Sequence, residues 1–82
     1  MESPLAQIRE RFGLKKDDLA LVLDISLPTL NRIEAGVAKI PGKCFRGLRE
    51  LKQDPEKTAE QQILFIEEKK RQILKSLKLG KD

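Results

Sequence analysis

The chain has 82 residues, of which 37% are charged, with 17 Lys and Arg against 13 Asp and Glu for a net charge of +4. That length allows one small domain with a modest core, not a two-domain enzyme, and the charge favours an anionic partner. There is no His, Trp or Tyr, and the one cysteine, Cys44, can form neither an internal disulfide nor a multidentate thiolate metal site.

No apolar run approaches the roughly 18 residues that span a bilayer, and MESPLAQIRE lacks the basic-then-apolar order of a secretion signal. A soluble, unprocessed protein of the reducing cytoplasm, with no membrane partner, is the resulting expectation.

Ser3 followed by Pro4 is an N-cap with proline at the first helical position, and Leu5, Ile8 and Phe12 continue at helical spacing until Gly13 stops the first helix. From Lys16 to Leu23, KDDLALVL places Asp17 and Asp18 in a first turn, where they suit the helix dipole. Leu19, Ala20 and Leu23 form its inward face.

Only Asp24 and Ile25 separate this helix from Ser26, an N-cap for a third helix whose stop is Gly36 and whose buried side is Leu30 and Ile33. Pro41 is expected to start a fourth helix with Cys44 or Phe45, Leu48 and Leu51 inward, and Gly47 should weaken it by about 1 kcal/mol relative to alanine. Asp54 and Pro55 then cap and begin a long fifth helix, reaching about Lys78. No strand alternation, repeat or low-complexity tract appears, so the fold class is all-α.

A helix, a tight turn and a capped second helix are the parts of a helix-turn-helix, whose second helix enters the major groove of DNA. The order IRERFGL, KKDDLALVLDIS, LPTLNRIEAG and then a proline five residues after Gly36 resembles the phage lambda repressor and Cro-like DNA-binding domains, the XRE family, over residues 5 to 53. The Leu-Ala pair, Ile25 and the Ile-Glu-x-Gly ending carry the likeness. It implies a compact four-helix domain over residues 1–53, followed by a C-terminal helix, residues 54–82, for dimerisation or partner binding.

The resemblance sets Arg9 against Glu34 as a structural ion pair, with phosphate binding as the competing role of Arg9. It puts Leu27, Pro28, Thr29 and Arg32 at the base-facing positions. Leu27 and Pro28 depart from the polar readers common in the family, so they and Thr29 are expected to touch thymine methyls. Arg32 is the one long bidentate donor there and the first choice for guanine, a phosphate grip being its alternative.

Lys16 stands where the family often carries glutamine; a phosphate contact is expected of it, with the amide link to the third helix lost, unless it is simply solvated. Ser26, Asn31, Lys39, Lys43 and Arg46 complete the expected backbone contacts, Asn31 being equally suited to solubilising its helix.

Ala59, Ile63, Ile66, Lys70, Ile73 and Leu77 are spaced four, three, four, three and four, a seam broken by Lys70 and widened by Leu64, Phe65 and Leu74. This helix can fold back on the others, pair with a second copy, or bind another protein; dimerisation is preferred. Glu67 and Arg71 form an expected i, i+4 pair. The leading function is a homodimeric transcriptional repressor that binds duplex DNA, the alternative an antitoxin-like module that holds a partner protein. With no histidine, no phosphate loop and no paired nucleophile, neither an enzyme nor a cofactor is expected.

Overall fold

The computed structural model describes residues 2–77 and is all-α, with no strand among the described residues. The helices are α1 (Pro4–Phe12), α2 (Lys16–Leu23), α3 (Leu27–Glu34), α4 (Phe45–Glu50) and α5 (Pro55–Ser76), with a 3-10 turn, Gly42–Cys44, leading into α4.

Local chemistry sets most of these boundaries. The hydroxyl of Ser3 accepts the Ala6 N–H at 3.3 Å, that of Ser26 the Thr29 N–H at 3.2 Å, and the Asp54 carboxylate the Lys57 N–H at 3.2 Å. Each cap is followed by proline within the first two helical positions, where no amide partner is needed. Gly13 closes α1 in the left-handed region at φ 66°, and Asp24, a residue type that tolerates this conformation, closes α2 at φ 61°. The Ile25 N–H then bonds back to the Ala20 carbonyl at 3.0 Å, which makes the two-residue link to α3 a tight, bonded turn.

Leu5, Ile8, Leu19, Ala20, Leu23, Ile25, Leu30, Ile33, Ile40, Cys44 and Leu48 form one core. Each fully buried leucine or isoleucine contributes about 1.5–3 kcal/mol by leaving water. Phe12, expected on the apolar spacing of α1, remains largely exposed.

Two expectations for the fourth helix change. It does not begin at Pro41: the chain there is extended, the Cys44 N–H bonds the Pro41 carbonyl at 3.0 Å in a 3-10 turn, and α4 proper starts at Phe45. Gly42 and Gly47 both lower helix propensity here, and the tighter turn carries Cys44 into the core. Gly47 is also no weakness, since a Cβ there would lie 2.3 Å from the Val22 carbonyl oxygen. Helices α2 and α4 meet backbone to backbone, and only glycine fits between them.

Helix α5 packs on α1 and α4 through its first half, but on a different row from the expected seam. Pro55, Thr58, Gln62 and Phe65 are the buried positions, two of them polar. Ala59 and Ile66 are half-buried, while Ile63, Lys70, Ile73 and Leu77 are exposed. The first turns of α5 thus share the body of the preceding helices, although residue 53 marks the expected boundary. Arg71 pairs with Glu68, one turn away at i, i+3, instead of Glu67. The expected end at Lys78 lies outside the described residues.

Candidate nucleic-acid interface

Helix α3 has two unlike sides. Leu30 and Ile33 are fully buried, and at 100° per residue the opposite side runs over Leu27, Asn31, Ala35, Pro28 and Arg32, all exposed. The apolar start of the helix is therefore at the surface, and Leu27 keeps 38% of its exposure. Ala35 was missing from the expected set; its small side chain leaves room at the middle of the exposed face.

Thr29 lies to one side, half-buried, and its Oγ1 accepts the Ser26 hydroxyl at 2.9 Å. The Ser26 oxygen accepts the Thr29 N–H in return. Both hydroxyls are thus engaged in starting the helix, with the Thr29 proton still free to donate.

Behind this face a polar network joins three helices. Arg9 donates from Nε to Glu34 Oε2 at 3.0 Å and from Nη2 to Oε1 at 3.3 Å, a bidentate pair between α1 and the end of α3. The hydrogen bond to Glu34 raises the Arg9 pKa above its ordinary value, burial opposes this, and the charges of Glu34 and Glu10 add to the rise. This guanidinium is committed to the fold.

Lys16 corrects a further expectation. Its Nζ donates to Asn31 Oδ1 at 3.2 Å and lies 3.9 Å from Glu34 Oε1, so the link from α2 to α3 that a glutamine would supply is kept by an ammonium. Nearly half of the side chain remains exposed and has donors to spare for a phosphate. Asn31 in turn has its oxygen occupied and its amide N–H groups turned to donation.

Lys39, Lys43 and Arg46 are exposed. Among the described residues no carboxylate lies within 4.0 Å of these three or of Arg32. Lys43 and Arg46 share a groove of about 340 Å³ with Leu21, Asp24 and Glu50, between the end of α2 and α4, so nearby acids temper their field.

Cys44 is a free, buried core thiol, and burial pushes its pKa up, Lys43 opposing and Asp24 adding to the rise. No group of three or more metal-ligating side chains occurs among the described residues, and no described helix is long and apolar enough to cross a membrane.

Comparison with curated proteins and with solved structures finds no match. A helix-turn-helix family model matches residues 5–43, the span from Leu5 of α1 through α2, the turn and α3 to Lys43. The matching model is that of the XRE, lambda-repressor-like helix-turn-helix family, whose members are DNA-binding transcription regulators and typically not enzymes, and the likeness spans a little under half of this chain.

Proposed function

We propose that this protein is a sequence-specific repressor that binds duplex DNA as a homodimer, with α3 in the major groove. The observation that carries the reading is the two-sidedness of α3: Leu30 and Ile33 anchor it completely, while Arg32 stands exposed with no carboxylate nearby among the described residues. Leu27, Pro28 and Thr29 would meet thymine methyls, and Arg32 would read guanine. Lys16, Ser26, Asn31, Lys39, Lys43 and Arg46 would hold the phosphates.

The dimer reading rests on the far half of α5. Ile73, Leu74 and Leu77 are exposed beyond the packed first half, and a second copy would cover the same row on both chains and give a two-fold reader. That exposed end also favours the alternative, an antitoxin-like module whose α5 holds a different protein.

Selection from a random duplex library at stated salt tests the proposal. A two-fold site with half-sites about one helical turn apart is expected. Arg32→Ala should then weaken that site by about 1–3 kcal/mol and relax the preference at one base position. A uniform loss across all sequences would move Arg32 to the phosphates, and no enrichment at all would reject sequence-specific binding. Sedimentation of the free protein decides between a second copy and a foreign partner on α5.

A further inference from the structure

Gln62 lies on α5, far in sequence from the helix-turn-helix, and is completely buried. Its Nε2 donates to the carbonyl of Ile33 and to that of Ala38, each at 2.9 Å. These two oxygens bracket the turn that leaves α3. Ile33 adjoins Arg32, and Ala38 adjoins Lys39.

The last carbonyls of a helix have no partner within it, and here one is capped from another helix. Ile33 already accepts the Gly36 N–H at 3.0 Å, so Gln62 completes its pairing from outside. The same turn is pressed from α5 by Phe65: a Cβ at Gly36, which sits at φ 82°, would be 3.0 Å from the Phe65 ring.

The orientation of the Gln62 amide follows from its partners, because a reversed amide would set oxygen against two carbonyls. In the bonded orientation its own Oε1 is buried with no partner among the described residues. A methionine would fill similar space without burying an unpaired oxygen of its own but would leave both carbonyls without this donor, so the two carbonyls, not the space, select glutamine. What the amide adds is a fixed distance between α5, the end of α3 and the turn.

We infer that Gln62 is a positioning residue for DNA recognition, holding the end of α3 and the following turn so that Arg32 and Lys39 are presented together. This rests on the proposed reading of α3 as the groove helix. A part of the recognition apparatus then lies outside residues 5–43, on the helix proposed to dimerise.

Gln62→Met is the first test, since it keeps side-chain length and helix propensity while removing both donors. With an intact far-UV spectrum and a cooperative melt, its affinity for the library-selected duplex should fall about tenfold, while binding to unrelated duplex, governed by phosphates, changes by no more than about twofold. An unchanged ratio of specific to nonspecific affinity overturns the inference.

The wild-type chain supplies a second measurement should the variant not fold. If the clamp favours specific binding, specific binding must favour the clamp by the same factor. Exchange of the Gln62 side-chain amide protons should therefore slow with the selected duplex and not with an unrelated one. Indifference to the duplex overturns the inference too, whereas a wild-type chain that selects no sequence overturns the reading of α3 beneath it.

Discussion

Replacing Glu34 by alanine should destabilise the fold far more than an ordinary surface change. The carboxylate takes two hydrogen bonds from Arg9, at 3.0 and 3.3 Å, and its side chain retains only 9% of its exposure against 21% for Arg9. An exposed ion pair contributes about 0–1 kcal/mol, whereas breaking a buried one costs about 3–5 kcal/mol because the remaining charge is stranded. With Glu34 nearly enclosed and Arg9 still reaching water, the loss should lie between these limits, at about 2–3 kcal/mol. In a chain of this size that lowers Tm by roughly 8–24 °C.

Lys16 loses its neighbour at 3.9 Å as well, so the angle of α3 against both α1 and α2 loosens. The Arg9 pKa is raised in the fold, so its contribution is fully present below the ordinary arginine value and fades only as pH rises past it, beyond any working buffer. Far-UV melts of Glu34→Ala, Arg9→Ala and the double variant form the assay. The double variant should be less destabilised than the two single losses together. A drop of less than about 3 °C for Glu34→Ala, the size of a neutral surface change, refutes the reasoning.

Two other changes follow from the geometry. Gly47→Ala should destabilise by about 1–3 kcal/mol despite alanine's better helix propensity, because its Cβ would fall 2.3 Å from the Val22 oxygen; urea unfolding that shows a gain would mean α2 and α4 do not touch there. Uracil in place of every half-site thymine should weaken binding if Leu27 and Pro28 read methyl groups, and competition at fixed salt that shows no change would leave them as helix-starting residues.

The starts of α1, α3 and α5 were legible because each is announced locally: serine or aspartate, then proline within two positions, then apolar residues a turn apart. The links between helices were less so. That Lys16 would reach Asn31 depends on how α2 and α3 cross, and the glutamine usual at that position suggested a lost bond instead of a replaced one. Gly47 read as a weak point since propensity is a property of one helix, while its value here comes from the backbone of another.

Helix α5 shows the same limit from the other side. Its most regular apolar row, through Ile63, Ile66, Ile73 and Leu77, pointed to a partner, while the row that meets the body includes Thr58 and Gln62, which no hydrophobic pattern selects. A polar residue enters a core only where it has something to bond, and Gln62 has two carbonyls waiting at the end of α3. The second row is thereby left at the surface. A single helix can therefore hold the turn after α3 with one row while the far end of its other row, at Ile73 and Leu77, stays exposed.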